Sequence, residues 1–239
     1  MSFLTAKWEQ LLVANYAIDP VHLQKYVPAG TSLDLFEGKC YVSLVGFMFT
    51  NTKVFGLQLP GHINFEEVNL RFYVKRIDDG EVKRGVVFVK EIVPKRIITM
   101  VANGIYKENY ETFKMKHRWE INNNTRNIQY SWGKTSNDEH CFECTADVQA
   151  TEIVEGSIEE FILEHYWGYA QIDTTSSMEY EVRHPKWRSY KVAEYTINVD
   201  FGVVYGPEFA FLNSEAPSSV LLAEGSKISV ETRKKLKNQ

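Results

Sequence analysis

The stretch FEEVNLRFYV, Phe65 to Val74, holds the residues best suited by type and spacing to do chemistry. At a strand's period of two, Glu67, Asn69 and Arg71 share a face with Phe65 and Tyr73, while Glu66, Val68, Leu70, Phe72 and Val74 share the other. The second set reads as core. In the first, a carboxylate, an amide and a guanidinium stand in a row between two aromatic rings. Inside a barrel, Arg71 would hold a ligand's carboxylate in a fork of hydrogen bonds and Glu67 would act as acid or base. On a wet face the same residues would be a surface pair worth about 0 to 1 kcal/mol. Alternation alone leaves both readings open.

The other motifs argue against competing chemistries. HCFEC (His140 to Cys144) has the residue types of a zinc or thiol site, but on a strand Cys141 and Cys144 point to opposite faces, and no second cysteine or histidine pair completes a tetrahedral set. GKT at Gly133 resembles the end of a phosphate loop, yet Ile128 stands where glycine is required and no helix is expected after it. No G-x-S-x-G is present, and the spacing of the six histidines assembles no base beside a serine or cysteine. His184, in RHPKW, reads as a side chain that ties down the turn at Pro185. No metal or cofactor is expected.

The elements that position the row read as strands. Leu11 to Ile18 is followed by a short helix capped by Asp19, with Pro20 in its first turn. Leu33 to Phe36 and Lys39 to Thr50 read as a hairpin around Glu37-Gly38. Asp79-Gly80 turns the Phe65 strand into Arg84 to Val93. Further strands are expected at Glu111 to Ile121, Arg126 to Gly133, Glu139 to Val148, Met178 to Arg183, Lys191 to Val199, Ser219 to Leu222 and Lys227 to Glu231. Helices are expected from Pro94 to about Gly104 and from Ser157 to Ala170, the latter with a capping box of Ser157 and Glu160. The count gives a mainly β, antiparallel domain with a few short peripheral helices. Residues 1–239 read as one domain, with a frayed basic tail from about 233.

Composition bounds the function. Hydrophobic residues are 44% and charged residues 24% of 239, the ordinary globular range. A net charge of -4 and a pI near 5.9, with basic residues scattered, give no footprint for nucleic acid. The longest nearly apolar run, YVSLVGFMF, is far short of the roughly 20 residues that span a bilayer. Three cysteines point to reduced thiols and a cytoplasmic protein.

VPAG at Val27, LDLFEGKCYVSLVGF, FEEVNLRFYV, RGVVFVKE, FILEHYWGY and RHPKW together resemble the YqjF-like family, the domain of unknown function 2071. The resemblance implies a fold similar to acetoacetate decarboxylase, an antiparallel β-cone or barrel around an interior cavity, in a homodimer or larger homo-oligomer. That enzyme carries an active-site glutamate in an aromatic-x-glutamate-hydrophobic segment, which Phe65-Glu66-Glu67-Val68 matches, so the likeness aims Glu67, Asn69 and Arg71 inward. It also carries two adjacent lysines, one of which forms a Schiff base. Here the matching region is IYKENYETF, with Tyr106 in place of a tryptophan and Asn109, Tyr110 and Glu111 where proline and the lysines would be. Lys107, beside Glu108, is a poor candidate for the apolar burial or the neighbouring cation that would activate an amine, and the sequence leaves open whether it reaches the cavity.

The resulting expectation is an enclosed polar pocket for a small organic anion or oxo acid. Glu67 and Arg71 are its catalytic candidates, and Asn69, Tyr73, Tyr106 and Tyr110 its ligand-binding candidates. A lysine-independent acid/base enzyme, a non-catalytic metabolite sensor and a purely structural domain all fit the sequence. Decarboxylation of acetoacetate does not.

Overall fold

Long alternating runs rich in valine, phenylalanine and tyrosine give the chain its strands, and the computed structural model describes residues 2–105, 107–135 and 138–237. The strands are β1 (Ser2–Ile18), β2 (Ser32–Leu33), β3 (Cys40–Val54), β4 (Phe65–Asp78), β5 (Glu81–Val93), β6 (Tyr110–Thr112), β7 (Lys114–Ile121), β8 (Arg126–Gly133), β9 (His140–Glu152), β10 (Trp167–Asp173), β11 (Ser176–Arg183), β12 (Arg188–Asn198), β13 (Ser219–Ala223), β14 (Lys227–Glu231) and β15 (Lys234–Lys237). The α-helices are α1 (Arg96–Ile105), α2 (Ile158–Leu163) and α3 (Phe201–Tyr205). No helix among the described residues is long and apolar enough to cross a membrane.

The strands join in one sheet that closes on itself. β1, β3, β4, β5, β10, β11 and β14 follow one another, and β14 pairs back onto β1 through Thr5↔Ser229 and Ala6↔Ile228. Most neighbours are antiparallel, while β6 and β10 each join β5 in parallel. From β1 the sheet also continues outward through β13, β12, β9, β8 and β7 as a wing. The wing packs against the outside of the ring, where Leu44, Val68, Leu70 and Phe72 meet Ile128, Tyr130 and Phe142 in one core. Each such fully buried side chain contributes roughly 1.5 to 3 kcal/mol. A second core lies inside the ring around Val45, Phe47, Phe65 and Phe161. Both faces of β4 are therefore covered, and from Phe65 to Val74 only Glu66 keeps some exposure.

Several local expectations hold. Asp19 caps the 3-10 turn Pro20–His22 through Val21 N (2.9 Å). Asp79 (φ 50) and Gly80 (φ 86) make the left-handed turn between β4 and β5. On β9, Cys141 is partly exposed and Cys144 buried, as the alternation requires.

Others are corrected. The helix expected over Ser157 to Ala170 stops at Leu163, because Trp167 and Gly168 are taken up as a strand between β5 and β11. Ring closure demands a strand there, and that pairing overrides the helical period. The Glu37-Gly38 turn forms, but only Ser32–Leu33 precedes it as a strand, and it pairs with β4, since β1 and β4 already occupy both edges of β3. The strand expected over Glu111 to Ile121 divides at Phe113, with β6 following β5 and β7 following β8.

Among the described residues of the basic tail the expected fraying is not seen. Lys234–Lys237 pairs with Ser176–Glu179 of β11, and Leu236 is buried in the outer core. Leu236→Ala is expected to cost about 2 kcal/mol in urea denaturation, against a few tenths for a solvated tail position. An unchanged midpoint would return the segment to the frayed class.

Candidate functional site

The ring encloses a cavity of about 200 Å³, and the inward face of β4 supplies Glu67, Asn69 and Arg71 to its wall. Most of the rest is apolar, with Phe47, Phe65, Phe88 and Trp187 along the sides and Ile97 and Val101 of α1 toward the rim. Burial is what the alternation could not decide: Glu67 is 2% exposed, Asn69 1% and Arg71 9%.

One end of the cavity is acidic. Asn69 Nδ2 donates to Glu67 Oε1 (3.0 Å), and the Tyr110 hydroxyl donates to Glu67 Oε2 (3.2 Å). Tyr110 is held by Asn103, whose amide donates to Tyr110 O (2.9 Å) and accepts from Tyr110 N (2.7 Å). Asn109 straps the same loop to β5, donating from Nδ2 to Val89 O (2.7 Å) and accepting at its carbonyl from Glu91 N (3.0 Å). With the loop laid along β5, Glu108 turns into the cavity, where it accepts from the Tyr180 hydroxyl (2.8 Å). Glu91 is the third carboxyl. Between β4 and β5 the register slips from Leu70↔Lys90 to Arg71↔Phe88, and this bulge reverses the alternation, so that Phe88 and Glu91 both face inward.

Glu67 and Glu91 are buried and Glu108 is half-buried, and with little compensation all three favour their neutral forms. Burial pushes Glu67 up to about 7, against the pull of Asn69, Tyr110 and the charge of Arg71. Burial likewise pushes Glu108 up to about 8, with Tyr180 opposing and the charge of Glu67 assisting. Glu91 is raised well above the ordinary carboxylate range by burial and then by Glu108 and Glu67.

The other end is basic. Arg71 lies over the Tyr73 ring (5.8 Å), and its Nε has no hydrogen-bond partner among the described residues. Tyr73 lies behind it, bonded through its hydroxyl to Ser43 Oγ (2.7 Å), which donates to Asn15 Oδ1 (2.6 Å). His165 packs on Tyr73 (ring centroids 4.7 Å) and donates from Nε2 to Asp34 Oδ2 (3.2 Å). Burial alone would raise Asp34, but His165 and Arg84 hold it at about 2. His165 itself is lowered by burial to about 4 and stays a neutral imidazole. His184 stacks on Trp187 (4.0 Å) at the wall, and burial lowers it to about 4 as well.

Of the residues singled out from sequence, Glu67, Asn69, Arg71 and Tyr110 line one cavity. Tyr73 lies in the inner core behind Arg71, where it can position the guanidinium without lining the wall. Tyr106 falls outside the described residues. Lys107 is exposed, at φ 61, with Glu108 beside it facing inward. Sequence reasoning missed Glu91, Glu108, Tyr180 and His165. The bulge hid Glu91 from any period-two reading, and long-range pairing placed the rest, so no local signal marked them.

The fold is shared with solved enzymes. An acetoacetate decarboxylase-like enzyme from Sphingomonas wittichii RW1 matches with a TM-score of 0.66 and 11% identity over 100% of this chain and 95% of that one. The enduracididine biosynthesis enzyme MppR, solved with pyruvate, matches at 0.68 and 11% over 100% and 92%. Acetoacetate decarboxylase from Legionella pneumophila matches at 0.64 and 12% over 97% and 86%. At such identities the likeness shows the fold, and the class is a mainly β protein with an acetoacetate decarboxylase-like fold. The chain belongs to the DUF2071 family, described as an uncharacterized conserved protein, whose model matches residues 5–227. Uncharacterized protein YqjF of Bacillus subtilis (strain 168) is 37% identical over 68 residues, an alignment that spans 28% of each chain.

Proposed function

We propose that the cavity binds a small carboxylic or oxo acid and acts on it by lysine-independent acid/base chemistry. Glu67 carries the proton, Arg71 clamps the ligand's carboxylate, and Asn69 and Tyr110 orient Glu67. The observation that carries this is a Glu67 carboxyl 2% exposed, bonded by two side chains and poised at about 7. A proton carrier works best when its pKa lies near the operating pH. The unpartnered Nε of Arg71 supports the clamp, because a buried guanidinium donor left without an acceptor is costly until a ligand supplies one. That a protein of this fold was solved with pyruvate is consistent with a small oxo acid. The same proposal takes the chain as a cytoplasmic homodimer or larger assembly, supported by its free cysteines and by the exposed apolar side chains of Leu57, Leu59 and Ile97.

Thermal melts of wild type, Glu67→Gln, Arg71→Lys and Arg71→Ala against small carboxylates, oxo acids and neutral controls test the reading. A ligand at a hundredfold its Kd adds about 2.7 kcal/mol. Wild type is expected to shift with one acid class, and the variants to stay folded and lose the shift. Turnover of the stabilising acid by wild type, abolished in Glu67→Gln, separates an enzyme from a sensor. No shift with any acid, with variants that merely melt earlier, makes the row structural.

A further inference from the structure

Asn69 and Glu91 face each other across the acid end of the cavity, and the Glu91 carboxyl, kept neutral by burial, has its own O–H to offer Asn69 Oδ1. Glu91 Oε2 and Asn69 Oδ1 have no hydrogen-bond partner among the described residues, and their side chains are 3% and 1% exposed. Asn69 and Glu91 are direct cross-strand partners between β4 and β5, a pairing that sets Cβ atoms of one face roughly 4.5 to 5.5 Å apart. Of the other donors nearby, Asn69 Nδ2 and Tyr110 bond Glu67, Tyr110 also reaches toward Glu91, and Tyr180 bonds Glu108. No lysine or arginine among the described residues bonds any of the three carboxyls: Lys107 is exposed, and Lys90 is taken by Glu111 and Val204 O. Arg71 stands one same-face step from Asn69, roughly 7 Å along the strand.

We propose that the Asn69–Glu91 pair, flanked by Glu67 and Glu108, is a recognition site for a protonated amine, so that the ligand is a short amino acid with its ammonium at this pair and its carboxylate at Arg71. An ammonium group can take the place of the carboxyl proton, donating to both acceptors and balancing the charge that its loss leaves on Glu91. A metal ion fits less well, since no group of three acid, imidazole or thiol side chains among the described residues converges as metal ligands. The apolar walls between the two ends suit a chain of a few methylenes. The inference deepens the acid-binding reading and rests on it only for the cavity being a ligand site.

Binding of such a ligand ionises cavity carboxyls that burial keeps neutral, and therefore releases protons. The titratable groups facing them are Tyr110 from β6, Tyr180 from β11, Arg71 from β4, His62 from the β3–β4 loop, His165 after α2 and His184 after β11.

Isothermal titration of wild type and Glu91→Gln with butanoate, butylamine and 4-aminobutanoate, and with the five- and six-carbon homologues, decides the matter when run in buffers of different ionisation enthalpy. Wild type is expected to bind the amino acid at least tenfold tighter than the matched alkanoate, with net proton release. Glu91→Gln should lose that advantage and keep its affinity for the alkanoate, which shows that its cavity remains folded. If alkanoates bind as tightly as amino acids, or if Glu91→Gln leaves the ratio unchanged, the ammonium site is wrong and the acid clamp stands. If butylamine binds as well as the amino acid, the ammonium site stands and the clamp at Arg71 falls. If nothing binds, both are overturned.

Discussion

The unliganded protein is expected to hold near-constant stability from about pH 5 to 6.5 and to lose about 2 to 4 kcal/mol by about pH 8. Glu67, Glu91 and Glu108 all have folded pKa values raised, mainly by burial, above the unfolded value of about 4.3. Below that value both states are protonated and the three contribute nothing. Above it the unfolded chain releases protons that the cavity retains, and each group costs about 1.4 kcal/mol per pH unit until its folded pKa is passed, at about 7 for Glu67 and about 8 for Glu108. The buried histidines act in the opposite sense. His140, His165 and His184 are lowered by burial, so each adds stability as pH rises to the unfolded value of about 6.5 and nothing beyond it. The two sets offset each other below about 6.5, and only the acids remain above. Carboxylates held low by partners, such as Asp34, have delivered their stabilisation by pH 5. Urea denaturation from pH 5 to 8.5 checks this, and Glu108→Gln should flatten the upper limb. A wild type that gains stability between pH 6.5 and 8 would show that the carboxyls are not held neutral.

Gly168→Ala is expected to cost about 3 kcal/mol and to abolish ligand-dependent stabilisation. The Tyr180 ring lies directly on Gly168, its cross-strand partner, and a Cβ there would stand 2.1 Å from Tyr180 Cζ. Tyr180 is 8% exposed, so its ring cannot swing aside without opening the inner wall. Its hydroxyl is also the donor to Glu108, so the clash would disturb the acid end of the cavity as well as the packing. Combining the change with Tyr180→Ala relieves the clash, and the double variant should be more stable than the sum of the single costs allows. Strict additivity would show that the ring and the glycine do not contend for the same space.

Much of the scaffold was legible because it is local. The left-handed Asp79-Gly80 turn, the Asp19 cap and the strands at Arg126–Gly133 and Lys227–Glu231 follow from turn chemistry and period-two alternation. Glu67, Asn69 and Arg71 were found for the same reason: three polar residues on alternate positions share a face whatever that face meets. The segments that failed are those whose state depends on a distant partner. Trp167 and Gly168 continue a helical period in sequence, yet become a strand because β5 and β11 leave a gap there. Lys234–Lys237 reads as solvated charge until β11 offers it an edge and Leu236 a core.

The order of residues alone places a carboxylate, an amide and a guanidinium in line on one strand, and shows that no lysine pair lies nearby to make a Schiff base. It could not determine what surrounds them. Pairing of β14 with β1 closes the ring and turns an ambiguous strand face into the wall of a cavity, and removal of water there raises the carboxyls. A one-residue bulge in β5 sets Glu91 opposite Asn69, and an asparagine strap on the same strand turns Glu108 inward. Alternation is a property of neighbouring residues, whereas enclosure, dielectric and the meeting of groups far apart in the chain exist only once the sheet has closed.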